Sequence, residues 1–316
     1  NMVLSVIFKQ NCLIIFVGIA VFYFMHLITD RTPGKQEKLK IAGNLIVVTV
    51  LTFAISSIPT AYISARLHVE SGAGNSKWAH VAMGLQDTES APGWYNTYNE
   101  ATFVENNYDT HATAKVSQDN IRESLRHFVA DPEYAWSFFN RKWAILWNNP
   151  TFECFTLQSN KISNVELSPL VKSTIFDGGK INILLIAFFD VCQSVYLFGI
   201  LMYLITEKNA GIGELLPFLL VIGAFVFWTF WETKSRYVLP YFLFVMPYSV
   251  IGYCNLLRQW KRKIVRVSLG IIAALILLIN VSDFSIINES MKINKDTEEY
   301  YEYIHEYNKN FMNFRY

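Results

Sequence analysis

Three stretches of this chain, 10–29, 41–65 and 237–257, contain no Asp, Glu, Lys or Arg. A helix needs about 20 apolar residues to cross roughly 30 Å of hydrocarbon, and each stretch is long enough. Several such runs cannot all be core helices of one soluble domain in a chain of 316 residues. Composition agrees, since 52% of the residues are hydrophobic and 16% aromatic, high for a soluble protein. The apolar runs predict spans at 10–29, 41–64, 181–206, 212–231, 237–257 and 264–282. The fold class expected is an all-α integral membrane protein with about six transmembrane helices and one large, partly helical extracytoplasmic loop domain.

Basic residues set the expected orientation. The connection 29–40 carries Arg31, Lys35, Lys38 and Lys40, and the connection after the fifth span carries Arg258, Lys261, Arg262, Lys263 and Arg266. Short connections dense in Lys and Arg stay cytoplasmic. Counting spans puts both on one side, together with 207–211. The chain then divides into 1–64, the first two spans; 65–180, an extracytoplasmic loop domain; 181–282, spans three to six; and 283–316, an extracytoplasmic tail with a short helix. The localisation implied is the cell membrane, multi-pass.

The loop of about 116 residues holds ten Lys and Arg, thirteen Asp and Glu, and five of the eight tryptophans. A disordered linker would be poor in aromatics, so a small ordered domain is expected. Within it, Asp131-Pro132-Glu133 is a helix start: a capping Asp, Pro at the first helical position and an acid in the first turn. The helix should run to about Trp147 and stop before Pro150. Trp136, Phe139, Trp143 and Trp147 recur at spacings of three and four, so they share a face. That face fits either the headgroup layer or packing within the domain.

The net charge of +1, with scattered basic residues, gives no footprint for nucleic acid. Four cysteines in unpaired positions (Cys12, Cys192 and Cys254 in apolar runs, Cys154 alone in the loop) predict neither a disulfide framework nor a zinc site. His111 and His127 are isolated, and no metal ligation is expected. Asp190 and Glu214 fall in or at the edge of spans, where a carboxylate needs a partner.

Three segments could carry chemistry. Trp231-Glu232-Thr233-Lys234-Ser235-Arg236-Tyr237 is a turn between two spans at the outer face. Three ionisable groups at that depth pair with one another or serve a ligand. Arg236 can grip a phosphate through two parallel hydrogen bonds and Lys234 adds a point charge; Glu232 could orient the arginine or bind sugar hydroxyls. The alternative is that both cations snorkel to lipid headgroups. The second segment is Lys77-Trp78-Ala79-His80-Val81-Ala82-Met83-Gly84-Leu85 with Pro92-Gly93-Trp94-Tyr95-Asn96. Aromatic faces stack on pyranose rings, and amide or imidazole groups satisfy hydroxyls; a structural, hydrogen-bonded His80 is the other reading. The third is Lys142-Trp143 with Trp147-Asn148-Asn149-Pro150-Thr151-Phe152-Glu153, where one cation and aromatic anchors fit a lipid-linked substrate and packing fits almost as well.

Together these segments resemble bacterial GT-C-type membrane glycosyltransferases, the group containing protein mannosyltransferase-like and glycosyltransferase family 39-like proteins. More narrowly, the chain looks like Gram-positive members linked to cell-wall or capsular polysaccharide. The resemblance covers roughly 40–260. It rests on Trp78–Leu85, on Gly93-Trp94-Tyr95-Asn96, on Lys142 with Trp147–Phe152, and on Glu232–Pro240. It implies transfer of a sugar from a polyprenyl-phosphate donor to a glycan acceptor hydroxyl on the non-cytoplasmic side, at a membrane lipid surface. Lys234, Arg236, Glu232, Tyr237 and Lys142 would face the lipid phosphate, and His80, Trp78, Trp94, Tyr95, Asn96 and Trp147 the sugar or acceptor. No cofactor is certain, with room for a divalent metal. The family keeps an acid in its first outer loop, and no counterpart is found here. Together with an opening Asn, this leads to the expectation that the chain is the C-terminal portion of a longer protein, with the catalytic residue unknown and upstream.

Two other classes fit part of the pattern. A polysaccharide polymerase or ligase acting on lipid-diphosphate-linked glycan also has many spans and a large outer loop, and would extend chains rather than add one sugar. A non-catalytic membrane component, such as a transporter, would show inverted repeats, and none is visible.

Overall fold

The computed structural model describes residues 13–29, 34–68, 74–88, 91–155, 167–175, 179–207, 211–259, 261–267 and 269–278. The expected tail helix in 283–316 lies outside these residues, as do Arg31 and the outer ends of the first and sixth expected spans. Among the described residues the regular structure is helical and no strand occurs. Four stretches are long and apolar enough to cross a membrane: Lys35–Leu67, Pro169–Thr206, Gly213–Phe230 and Leu239–Arg258. The Ile14–Ile28 helix is apolar but shorter. The protein is therefore an all-α chain of membrane character.

Its residues form two compact units, Asn1–Trp147 with Asn209–Thr233, and Asn148–Lys208 with Lys234–Tyr316. The 65–180 stretch, read from sequence as one loop domain, contributes to both.

The first unit contains α1 (Leu13–Thr29), α2 (Lys35–Leu67), α3 (Lys77–Gly84), α4 (Tyr98–Glu105), α5 (Thr110–Ala130) and α6 (Pro132–Trp147); α9 (Leu216–Phe230) returns to it later in the chain. In α2 the hydroxyls of Thr49, Thr52, Ser56 and Ser57 bond back to the carbonyls of Leu45, Val48, Phe53 and Ala54. Hydrocarbon offers no water, so these short polar side chains satisfy themselves on their own helix. Lys38 closes the end of α1 by donating to the Leu27 carbonyl at 2.8 Å, where a cation meets the negative end of the helix dipole.

Helices α3 to α6 form a polar-skinned bundle around Leu85, Phe128 and Phe138, flanked by Val81, Ile121, Tyr134 and Phe139. Asp109 caps α5 by accepting from the His111 and Ala112 amides at 2.7 and 3.0 Å, and those bonds hold its carboxyl below the usual carboxylate range. Asp131 accepts from the Tyr134 amide at 2.9 Å, so α6 starts where the Asp-Pro-Glu pattern places it. Asp131→Ala should lower stability by about 1 kcal/mol, read as a small drop in thermal midpoint with no change in helix content.

The second unit contains α7 (Pro169–Ile175), α8 (Lys180–Thr206) and α10 (Leu239–Arg258), with a 3-10 turn at Ser235–Tyr237 leading into α10. Helices α8 and α10 approach closely where Gly199 meets Gly252. A Cβ at Gly252 would run into the Gly199 carbonyl oxygen and stand 2.5 Å from the Tyr203 amide nitrogen. Small residues at such a crossing let backbones touch, and packing then replaces the hydrophobic drive that lipid removes. The hydroxyls of Tyr196 and Tyr253 reach across to the Phe242 and Val195 carbonyls at 2.6 and 2.7 Å. Met202, Leu256, Val265 and Ile272 form an apolar cluster joining both helices to the helical segments at 263–267 and 269–278.

Candidate functional site

The first unit brings together parts of all three segments singled out in the sequence, and Lys142 is the point where they meet. Phe138, Lys142 and Leu146 recur at intervals of four and form the buried face of α6. Lys142 is 0% exposed. Its ammonium donates to the Gly84 carbonyl at the end of α3, and to the Trp231 carbonyl just past α9 at 2.7 Å. Burial pushes its pKa down to about 7, against the opposing charge of Glu232. Two of its three protons thus serve the main chain inside the unit, and its role there is to join α3 to the Trp231–Thr233 turn.

Gly93 completes the junction. Its φ is +70°, and a Cβ there would stand 2.5 Å from Lys142 Nζ, 2.7 Å from Gly84 O and 2.8 Å from Thr233 Oγ1. The Gly93 amide donates to Gln86 O at 2.7 Å, and its carbonyl accepts from the Thr233 amide at 2.8 Å. The buried Thr233 hydroxyl donates to Pro92 O at 2.7 Å. Residues 140 apart in sequence are therefore clasped by main-chain and hydroxyl bonds.

Around this clasp the sequence-predicted sugar residues separate into buried and open groups. Ser76 caps α3 by accepting from the Trp78 amide, and Ala79, Ala82 and Met83 pack inward. His80 lies half-buried with its ring stacked on Trp231 at 5.4 Å and 9°. Trp231 also stacks on Phe227 at 5.1 Å, so partners flank its ring. Burial lowers the His80 pKa, and its Nδ1 is enclosed without a hydrogen-bond partner. Trp78 and Tyr95 are 48% and 37% exposed. Tyr95 Oη donates to Glu100 at 2.8 Å. Burial, that bond and the nearby Glu100 and Glu232 carboxylates push its pKa up to about 12. Asn96 is exposed, with its amide nitrogen on Gln86 Oε1 at 2.9 Å and its amide oxygen accepting from the Tyr98 amide. Arg141 pairs with Asp87 at 2.6 Å on the same bundle. Trp94 is half-buried.

The aromatic stripe of α6 is mostly a packing face. Trp143 and Trp147 lie 5.4 and 5.9 Å from the Phe225 ring of α9, and Trp143 Nε1 donates to Thr229 Oγ1 at 2.9 Å. Trp136, at 64% exposure, is the member left open.

The cation pair belongs to the second unit. Arg236 is exposed, with its guanidinium 5.4 Å from the Tyr237 ring centre. Lys234 and Tyr237 are half-buried on either side. Between them Ser235 is 0% exposed, and its amide and hydroxyl donate to Glu153 Oε1 at 2.5 and 3.2 Å. Sequence reasoning assigned no role to Glu153, Thr233 or Gln86. Glu153 and Thr233 act on partners 82 and 141 residues away, Gln86 binds Gly93 and Asn96 within its own loop, and their residue types carry no periodic signal. Among the described residues no three His, Cys, Asp or Glu side chains are grouped to hold a metal ion.

No family model, curated protein or solved structure matches this chain.

Proposed function

We propose that this chain acts as a membrane glycosyltransferase of the GT-C type. It moves a sugar from a polyprenyl-phosphate donor to a cell-envelope glycan or lipid-linked acceptor on the outer face of the membrane. The observation that carries this reading is the clasp itself. Trp78–Leu85, Gly93–Asn96, Lys142 and Trp231–Thr233, four segments far apart in sequence, meet in one unit. Such convergence of polar loops beside a candidate span suits a lipid-linked, sugar-bearing substrate.

In this reading about six spans set α3 to α6 and the 231–237 turn outside the cell, with the basic connections in the cytoplasm. Lys234 and Arg236 hold the phosphoryl oxygens. In the transfer, the acceptor oxygen forms a bond to the sugar's anomeric carbon. The bond from that carbon to the phosphate oxygen breaks, and polyprenyl phosphate leaves with the electron pair. The acceptor proton passes to a general base, and the cations stabilise the charge growing on the leaving phosphate. Glu232, whose field reaches both Tyr95 and Lys142, orients the groups around it.

Purified protein supplied with polyprenyl-phosphate sugar should add a single sugar to an acceptor glycan, seen by mass spectrometry of the product. Arg236→Ala should cut kcat/KM by about a hundredfold, the scale of one lost charge-assisted contact to a transition-state phosphate. Unchanged activity in that variant ends the assignment of Arg236, and products of ladder length point to a polymerase.

A further inference from the structure

Glu153 is a buried carboxyl that the proposed reaction leaves unused. It is 5% exposed, and among the described residues its hydrogen bonds go to Ser235, from the main-chain amide at 2.5 Å and the hydroxyl at 3.2 Å. Removing a carboxyl from water is costly unless donors replace the lost hydration, and here both donors come from the centre of the Lys234-Ser235-Arg236 turn. The backbone delivering Glu153 is unusual as well. Phe152 and Glu153 have φ of +50° and +62°, a left-handed conformation that side-chain-bearing residues rarely adopt in succession. It persists where the surroundings over-determine it. Those surroundings are visible: Asn149 Oδ1 accepts from the Thr151 amide and hydroxyl at 3.0 and 2.8 Å, and the Phe152 ring packs edge-on against Phe242 of α10 at 5.2 Å.

We infer that Glu153 is a positioning residue that fixes the Lys234-Ser235-Arg236 turn, so that its two cations present one preformed grip to a phosphoryl group. This inference rests on the donor reading above and deepens it. The carboxylate touches no substrate. Tying down the Ser235 amide fixes where the chain carries Lys234 and Arg236 on either side. Preformed cations lose less freedom when the anion arrives than cations on a loose turn.

The test uses the full chain in phosphatidylcholine nanodiscs containing undecaprenyl phosphate, comparing wild type with E153A, E153Q and E153D. Hydrogen exchange at the Ser235 amide should be at least tenfold faster in E153A and near wild type in E153Q, whose amide oxygen still accepts. Undecaprenyl phosphate retained by the protein, read by native mass spectrometry, should fall roughly tenfold in affinity in E153A and two- to threefold in E153Q. R236A should then cost less in the E153A background than alone, because residues acting as one unit are non-additive. E153D withdraws the carboxylate by one methylene and should show the same direction, which keeps the test decisive if E153A fails to fold. Unchanged Ser235 exchange overturns the inference. So does tighter lipid binding in E153A, which would mean that the carboxylate competes for the turn. If wild type retains undecaprenyl phosphate no better than phosphatidylcholine, the donor reading falls, and the exchange arm still decides whether Glu153 sets the turn.

Discussion

Gly93→Ala should destabilise the protein by about 3 kcal/mol, on the order of a 10 °C fall in thermal midpoint. Two costs add. The residue sits at φ +70°, where a Cβ is strained whatever the space. The new methyl would also stand within 2.8 Å of Lys142 Nζ, Gly84 O and Thr233 Oγ1. Gly84 and Thr233 contribute main-chain or short, buried groups that cannot swing aside. Lys142 can retreat only by giving up its bonds to Gly84 and Trp231. Gly43→Ala is the matched control. It lies in α2 with nothing near its Cβ position, and it should be neutral or stabilising by up to about 1 kcal/mol. Equal midpoints for the two variants would mean that the Gly93 loop is not clasped as described.

The second large effect is a pH dependence centred on Lys142. Its folded pKa of about 7 lies below the ordinary lysine value of 10.5. Between those values the unfolded chain binds the proton and the folded chain does not, so stability rises with pH. The cost of the buried ammonium is fully present below pH 7 and is relieved as pH rises. From pH 7 to 10 the gain is about 4 kcal/mol. Above pH 10 the slope reverses, because Tyr95 and Tyr134 hold their protons longer folded than unfolded. Lys142→Met removes the rise. At pH 9 it should cost several kcal/mol, roughly 1–3 for each carbonyl left without its donor. At pH 6 it should cost much less, since the variant no longer buries a charge. Denaturation midpoints of both proteins across pH 6 to 10 read this directly. Parallel curves would remove Lys142 from its place between Gly84 and Trp231.

The two experiments also separate stability from reaction. Gly93 and Lys142 shape the first unit, and their variants should lose activity in step with folded protein. Arg236 lies exposed in the second unit, and under the proposed transferase reading its loss should change turnover while leaving the midpoint near wild type.

Membrane character and helical class were legible in the sequence, because charge is expensive in hydrocarbon and its absence over about 20 residues is a pattern any reader can count. The start of α6 was legible too, since Asp131, Pro132 and Glu133 act on their own neighbours. The segments holding Trp78, Gly93, Lys142 and Trp231 could be picked out by residue type. What the folded chain alone decided is which of their groups face one another. A lysine read as a candidate for lipid phosphate is enclosed between two carbonyls, and Trp231 is flanked by His80 and Phe227. A glutamate given no role supports the turn that carries the cations. Periodicity and capping are local rules, and they reach about one helical turn along the chain. The burial of Lys142 and the bond from Ser235 to Glu153 depend on partners 58 to 89 residues away, and such distances are closed only by tertiary packing.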